Sequence, residues 1–337
     1  MSTLLLDRAG LEVRSDGQAL ALYEGGVRRG TVPLALLERC IIQGGQTQLD
    51  SGVLLKLAEA GVTTVLFSPR AGRRVATLLG PAHRDAAVRM AQALRCTDAP
   101  WCAQWARDIV RAKLARQRRV LRHWLAERAD ARKPLSDALA AVEAALLRLA
   151  DSGEAGELNA DSLRGIEGAA ARAHFAGLAA VLPPALGFAG RNRRPPRDAA
   201  NVCLSLGYTM LHIEAVQACQ ISGLDPLLGF YHRPAFGRES LACDLIEPLR
   251  ASVDLWVWEL LRSRRLREEH FSFDHGACLL GKAGRSIYHA AWAQEARPLR
   301  RWLRQRAADL ARHLRGEGLA WVESDPADDE ALASESG

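Results

Sequence analysis

The pattern of hydrophobic positions changes near residue 80. Before that point, short apolar runs alternate with glycine-containing turns, a pattern typical of β-strands. One helix is predicted over residues 50–60, where Asp50 or Ser51 would cap the first turn and Gly61 would end the last. The apolar runs that we interpret as strands are Leu4–Leu6, Ala19–Tyr23, Cys40–Ile42 and Thr63–Phe67.

From Pro81 onward the chain has the periodicity of long helices. Apolar residues recur at helical spacing from Trp105 to Trp124 and predict one buried face. A second basic helix is predicted over residues 298–315. The cationic residues on the other faces of the first long helix are Arg107, Arg111, Lys113, Arg116, Arg118, Arg119 and Arg122. These residues either contact phosphates or form a solvated helix surface.

We therefore predict an α+β protein with a small N-terminal β-rich domain followed by a larger all-α helical domain. The β-rich domain would comprise residues 1–79, and residues 80–96 would form a linker and the start of the first long helix. Residues 97–322 would form the helical domain. Residues 323–337 contain six acidic residues and no Lys or Arg, which predicts a disordered tail.

The charge balance favours a nucleic-acid partner. The 337 residues include 45 Lys and Arg against 39 Asp and Glu, which gives a net charge of +6. Without the six acidic residues of the tail the balance is 45 minus 33, or +12. Most of the positive charge is arginine, which binds phosphate in a bidentate manner. The alternative is an ordinary solvated surface with a solubilising tail.

The seven cysteines are scattered and form no CxxC pair, which argues against a zinc site or a disulfide framework. A reducing compartment fits this usage. The N-terminal apolar run is too short for a signal peptide, and no stretch of 18 uncharged apolar residues occurs. We expect a cytoplasmic protein without a membrane partner.

Three residues late in the chain suggest the chemistry. His232 ends a turn-like segment, and Asp244 and Glu247 follow three residues apart, a spacing that places both carboxylates on one face of a helix. Nitrogen and oxygen donors of this kind suit Mg²⁺ or Mn²⁺. In a basic protein, such an ion indicates phosphodiester chemistry.

Two earlier segments add candidates. Glu167 is followed by small residues on a predicted helix, so it is either a ligand or an exposed glutamate on a helix-packing surface. The segment Arg191–Asp198 carries four arginines and two prolines, and Asp198 would cap the helix that follows. The segment either binds phosphate or forms an exposed basic loop. Tyr208, on that helix, is either a core aromatic or a hydroxyl near the site.

The order of these segments resembles a known family, the CRISPR-associated integrase Cas-one, which is the DNA endonuclease and integrase of CRISPR adaptation. Four motifs in the same order over about 85 residues carry the resemblance, and the β-then-α layout extends it to nearly the full length. The motifs are E-G-x-A-A at 167–171, R-R-P-P-x-D-x-x-N-x-x-L-S-x-G-Y at 193–208, G-L-D-P-x-x-G-F-x-H at 223–232 and S-L-A-x-D-L-x-E-P-x-R at 240–250.

The resemblance implies a set of residue roles. Glu167, His232 and Glu247 would bind one divalent metal, Mg²⁺ or Mn²⁺, and Asp244 would act beside them as a further ligand or by orienting one. The expected DNA-contacting residues are Arg193, Arg194, Tyr208 and Arg250. His174 departs from the family pattern because an aromatic residue, often Tyr, is usual at that position.

The resemblance also implies a function and partners. The protein would join the 3′-OH ends of new spacer DNA to the CRISPR repeat by metal-assisted transesterification, and would cleave DNA by the same chemistry with water. Its β-rich domain would mediate homodimerisation, and the small ferredoxin-like protein Cas-two would bridge two dimers. Two alternatives stay open: a structure-specific nuclease of DNA repair or recombination, and a non-catalytic DNA-binding scaffold.

Overall fold

A computed structural model describes residues 2–43, 46–67, 74–78, 85–151, 160–192 and 195–322. The chain falls into two compact units. One comprises Met1–His83 with Ser286–Glu295, and the other comprises Arg84–Arg285 with Ala296–Gly337. The predicted domain limits near residues 79 and 97 stay predictions, and the acidic tail lies outside the described residues.

The first sheet of the N-terminal unit is mostly parallel. β1 (Ser2–Leu6), β5 (Leu37–Ile42) and β7 (Thr63–Phe67) are hydrogen-bonded in parallel, and β8 (Arg74–Leu78) pairs antiparallel with β7. Strands inside parallel sheets are covered on both faces and read as continuous apolar runs. This explains why consecutive residues of β5, from Cys40 to Ile42, are all buried.

The second sheet is a meander with one added strand. β2 (Leu11–Asp16), β3 (Ala19–Glu24) and β4 (Val27–Pro33) are antiparallel, and the short β6 (Gln48–Leu49) pairs parallel with β2. The turn between β3 and β4 consists of two glycines with φ of 59° and 78°. A two-residue hairpin of this kind needs positive φ at both positions, which glycine adopts without strain.

One helix and both sheets share the core of this unit. α1 (Ser51–Glu59) begins at Asp50, whose side chain accepts a hydrogen bond of 2.7 Å from the Val53 amide. The prediction of this helix is confirmed, and Asp50 rather than Ser51 is its cap. Val53 and Leu57 of α1 are buried in a cluster that also contains residues of β1, β2, β3 and β5.

The described residues of the second unit are mostly helical, and the predicted α+β class is confirmed. The region also contains an antiparallel hairpin of two strands, which the all-helical prediction did not include. Its elements are α2 (Ala86–Arg95), α3 (Ala99–Glu127), α4 (Arg132–Asp151), α5 (Ala160–Val181), α6 (Ala199–Ile221), α7 (Ser240–Ile246), α8 (Arg250–Arg262), β9 (Phe271–Asp274), β10 (Ala277–Leu280) and α9 (Lys282–Gly318), except that Ser286–Glu295 of α9 belong to the first unit.

α3 is the long central helix of this unit and packs against α4, α5 and α8. Its predicted apolar face is confirmed, because Trp105, Val110, Leu114, Leu121 and Trp124 are all buried. The helix does not begin in residues 80–96 as expected. A separate helix, α2, ends there, and the Asp98 side chain starts α3 by accepting a hydrogen bond from the Trp101 amide.

The second basic helix is longer than predicted, because α9 begins at Lys282 and continues through Pro298. One of its arginines does not face solvent. Arg300 is 7% exposed, and its Nε lies 2.9 Å from Oε2 of the fully buried Glu214 on α6. Part of the positive charge of this helix therefore neutralises a buried carboxylate. Among the described residues, no helix is long and apolar enough to cross a membrane.

The buried Arg300–Glu214 pair gives a stability prediction. Replacing Arg300 with Met removes the cation that compensates a buried carboxylate, so we expect the free energy of unfolding to fall by about 3–5 kcal/mol. The matched change Arg301→Met, at an exposed position on the same helix, should alter it by less than about 0.5 kcal/mol. Urea unfolding of both variants measures the difference, and equal effects would contradict a structural role for Arg300.

Candidate functional site

The fully buried carboxylate of Asp244, on α7, organises the turn that ends in His232. Oδ2 accepts hydrogen bonds from the amides of Phe230 and Tyr231, each at 2.9 Å, and from Trp105 Nε1 at 3.2 Å. Oδ1 accepts from the His232 amide at 2.8 Å and lies 2.7 Å from His232 Nδ1. Because a carboxylate is only an acceptor, Nδ1 carries the proton in this contact. The other ring nitrogen, Nε2, is left available to a ligand.

Close backbone packing holds the same turn against the start of α7. A Cβ atom at Gly229 would lie 2.5 Å from the backbone carbon of Ser240 and 2.8 Å from the backbone nitrogen of Leu241. Only glycine fits at that distance. The Leu241 amide also donates to the Pro226 carbonyl at 2.9 Å, so the segment before His232 is tied to α7 at both ends.

Two of the predicted ligands meet at one lysine. Lys113 on α3 places its ammonium 2.6 Å from Oε2 of Glu247, and the same ammonium donates to Oε1 of Glu167 on α5. Glu247 is the first residue of a short 3-10 turn, Glu247–Leu249, between α7 and α8. The three side chains are largely buried, with 12% of Lys113, 17% of Glu167 and 6% of Glu247 exposed.

Further contacts fix the other carboxylate oxygens. The Tyr231 hydroxyl donates to Oε2 of Glu167. Arg250 Nε lies 2.7 Å from Oε1 of Glu247, one turn further along the chain. Each glutamate thus has two partners: Lys113 for both, and in addition the Tyr231 hydroxyl for Glu167 and the Arg250 guanidinium, in an ion pair, for Glu247.

Burial and neighbouring groups determine the protonation states of Glu247, Lys113 and Tyr231. Burial alone would raise the pKa of Glu247, but the Arg250 guanidinium and the Lys113 ammonium outweigh it and lower the pKa to about 2. Burial would likewise lower the pKa of Lys113, but the two carboxylates reverse this and raise it. Burial and the hydrogen bond to Glu167 raise the pKa of Tyr231 far above its ordinary value, so its phenol stays protonated.

The donor set suits a hard divalent cation, but its side chains are not arranged around one. Two carboxylates and an imidazole are the donors expected for Mg²⁺ or Mn²⁺. Across the described part of the chain, no group of three or more His, Cys, Asp or Glu side chains is placed to hold a metal ion. The Lys113 ammonium lies between the two carboxylates instead. The ligand roles of Glu167, His232 and Glu247 stay predictions.

A second buried network lies around Asp254 on α8. His174 Nε2, on α5, lies 2.9 Å from Oδ2 of Asp254, and the Tyr208 hydroxyl on α6 donates to Oδ1. His174 is fully buried, and its ring stacks on that of Trp124. This polar contact accounts for the histidine at the position where the resemblance predicts an aromatic residue.

The residues expected to contact DNA are placed differently from one another. Tyr208 is 8% exposed and its hydroxyl donates a hydrogen bond to Asp254. This favours the interpretation of Tyr208 as a core aromatic residue. The Arg250 guanidinium lies 4.7 Å from the centre of the Tyr208 ring, so it joins this network to Glu247. Arg193 and Arg194 lie outside the described residues, and the DNA-contacting roles of all four residues stay predictions.

The described residues of the basic segment before α6 form hydrogen bonds with one another and with the helix. Asp198 caps the helix as predicted, accepting from the Asn201 amide at 2.8 Å. Arg191 donates to Oδ1 of Asn201 at 2.7 Å and to the Ser205 hydroxyl at 2.9 Å. At least one of the four arginines is therefore engaged within the protein.

Sequence reasoning missed Lys113 and Tyr231 as parts of the site. The sequence pattern groups Lys113 with the arginines of α3, but the composition carries a further signal. The chain has only 4 lysines among its 45 basic residues, and one of them stands at the edge of the buried face of α3. The lysine ammonium is a compact point charge with three donors, which suits a position between two carboxylates. Tyr231 had no comparable signal.

Comparison with known proteins places this chain in a family. The family model described as CRISPR associated protein Cas1 (Cas-one) matches residues 4–294. The CRISPR-associated endonuclease Cas1 1 of Thermodesulfovibrio yellowstonii is 37% identical over 306 residues, which cover 89% of this chain and 93% of the relative.

Two solved structures share the fold. A casposase bound to integration product superposes with a TM-score of 0.79 at 21% identity, over 94% of this chain and 91% of that one. A chain of a Cas6-RT-Cas1–Cas2 complex superposes with a TM-score of 0.74 at 23% identity, over 94% of this chain and 35% of that longer one.

The contacts of Asp244 give a prediction about His232. We expect the neutral His232 ring to carry its proton on Nδ1, and the Asp244→Asn variant to lose this preference, because the amide cannot accept every bond that the carboxylate accepts. Long-range nitrogen–proton correlation spectra of histidine-labelled protein, with the signal assigned by His232→Gln, measure the tautomer at mildly alkaline pH.

The matched control is Asp225→Asn in the same segment. The Asp225 side chain accepts from the Leu227 amide at 2.8 Å, and no contact of it with His232 is present. This variant should leave the His232 signal unchanged. A wild-type ring protonated on Nε2 would contradict the assigned geometry.

Proposed function

The chain belongs to the Cas-one family of CRISPR-associated proteins, and from this we propose that it is a metal-dependent DNA endonuclease and integrase of CRISPR adaptation. It joins the 3′-OH ends of new spacer DNA to the CRISPR repeat. In each joining step one phosphodiester bond forms as another breaks, so the repeat strand is cut without net hydrolysis. The observation that carries the proposal is the convergence of Glu167 and Glu247 on one cation position.

The metal proposed for this site is Mg²⁺ or Mn²⁺, held by Glu167, His232 and Glu247. When bound, it would supply Lewis-acid stabilisation of the charge that develops on the phosphate. Neighbouring residues set the protonation states of two proposed ligands, His232 and Glu247. Asp244 keeps the proton of His232 on Nδ1 and so leaves Nε2 unprotonated for binding. Arg250 and Lys113 keep Glu247 ionised.

The proposed partners follow from the relatives and the charge. The casposase structure contains an integration product, and the second structure contains Cas2, which support DNA and Cas-two as partners of this chain. A net charge of +6 suits binding of the DNA backbone. We further propose a homodimer formed through the β-rich domain, with Cas-two bridging two dimers. Action in the cytoplasm fits a chain whose seven cysteines are all free.

The two alternatives predict different products. A structure-specific nuclease would use the same residues but would cleave DNA without joining it. A DNA-binding scaffold would do neither. The pairing of two buried glutamates with an arginine and a lysine is costly to build into an interior without a function, which favours an enzyme over a scaffold.

The test combines a duplex with free 3′-OH ends, a supercoiled plasmid with the CRISPR repeat, and the protein with and without Cas-two. We expect joined product with Mn²⁺ or Mg²⁺ and none with EDTA. Glu167→Gln and His232→Gln should each reduce joining by more than the roughly 10–100-fold typical of an outer-shell partner, because each removes a ligand. Gel electrophoresis of labelled DNA measures the product.

The matched control is Glu143→Gln, which changes a partly exposed glutamate that pairs with Arg122. It should join DNA as well as the wild type. Metal-dependent cleavage without joining, even with Cas-two present, would favour the nuclease. DNA binding without either product would favour the scaffold.

A further inference from the structure

We infer that Lys113 is a built-in substitute for the metal: its ammonium occupies the cation position between Glu167 and Glu247, and an incoming divalent cation must displace it. The inference rests on the proposed function, because it takes these two glutamates as ligands. It assigns Lys113 a positioning role that keeps the site assembled before metal arrives.

The contacts of Lys113 are those of a bridging cation. One nitrogen atom contacts an oxygen of each glutamate, and the distance to Glu247 is 2.6 Å. The two carboxylates come from α5 and from the turn after α7, so without a cation between them two largely buried negative charges would face each other. A single positive charge held at that point relieves their repulsion.

The same position cannot hold the ammonium and a metal ion together. Lys113 takes up one oxygen of each carboxylate. In agreement with this, no three His, Cys, Asp or Glu side chains among the described residues are placed around one metal ion. The ammonium can leave this position without a change in the backbone, since the four-carbon stem of lysine is flexible. The site therefore has a lysine-bridged state and an open state, and only the open state binds metal.

This competition sets the apparent affinity for metal. A ligand that binds only the open state has its apparent dissociation constant raised by the inverse of the open fraction. If the bridged state is populated to about 90%, removing the lysine should tighten metal binding about tenfold. It should also destabilise the metal-free protein, because the glutamates then lose their shared cation.

A variant of Arg250 distinguishes displacement of Lys113 by the metal from a general effect of positive charge on metal binding. It contacts Glu247 with its Nε at 2.7 Å, and no contact of it with Glu167 is present, so it adds positive charge without bridging the pair. Removing either cation makes the site more negative. Only removal of Lys113 frees the position between the carboxylates.

The first experiment compares Lys113→Met with Arg250→Met and with Lys133→Met, which breaks an exposed pair with Asp137. Binding of Mn²⁺ is followed by electron paramagnetic resonance of the free ion, and thermal unfolding is recorded in EDTA and in Mn²⁺. We expect Lys113→Met to bind Mn²⁺ about tenfold more tightly than the wild type. Its midpoint in EDTA should fall by roughly 5–10 °C, and Mn²⁺ should restore most of that loss.

The second experiment uses the wild type alone, so it does not depend on a variant that folds. Amine acylation followed by peptide mass spectrometry reads each of the 4 lysines separately. Lys113 should react slowly in EDTA and severalfold faster in Mn²⁺, while Lys133, whose side chain is 84% exposed, should react at the same rate in both.

The outcomes distinguish the inference from the proposed function. If Mn²⁺ binds but Lys113→Met has wild-type or weaker affinity, or if Lys113 is no more reactive with the ion bound, displacement is wrong and the metal site stands. Equal gains in Lys113→Met and Arg250→Met would reduce the effect to charge and overturn displacement as well. If no protein binds Mn²⁺ or Mg²⁺, both the inference and the proposed metal dependence fail.

Discussion

The geometry of the site depends on one buried carboxylate. Asp244 is fully buried, and an unpaired charge there would be very costly. The cost of burying this charge is offset by hydrogen bonds from three successive amides, the Trp105 indole and the His232 ring. Since those amides span residues 230–232, the carboxylate fixes the backbone that carries His232. α3, α7 and the turn are joined at this one group.

The arginine and lysine content of the chain is divided between the surface and the interior. Lys113, Arg250 and Arg300 are each paired with a buried or nearly buried glutamate. Charges used in this way neutralise internal carboxylates and add little to the field that DNA would meet. Composition alone therefore overstates how much of the basic character of α3 and α9 is available to a nucleic acid.

Features set by local chemistry could be predicted from the sequence. The caps at Asp50 and Asp198 depend on the residues of a single helical turn, and the buried face of α3 depends on helical periodicity. The partners of Lys113 and Arg300 could not be predicted in the same way. Lys113 and Glu247 are 134 residues apart, and Arg300 and Glu214 are 86 apart, so only the tertiary fold brings them together.

The two halves of the site differ in how freely they can move. His232 is held by bonds to a group that is itself immobilised from several directions, so its position is fixed before any ligand arrives. Glu167 and Glu247 are joined through the flexible side chain of Lys113. In the proposed metal site, His232 would be the fixed ligand, and only side chains would have to rearrange around Glu167 and Glu247 to accept a cation. The side chains that would move come from α3, α5 and the short turn after α7, so the backbone need not move and the segment that carries His232 stays undisturbed.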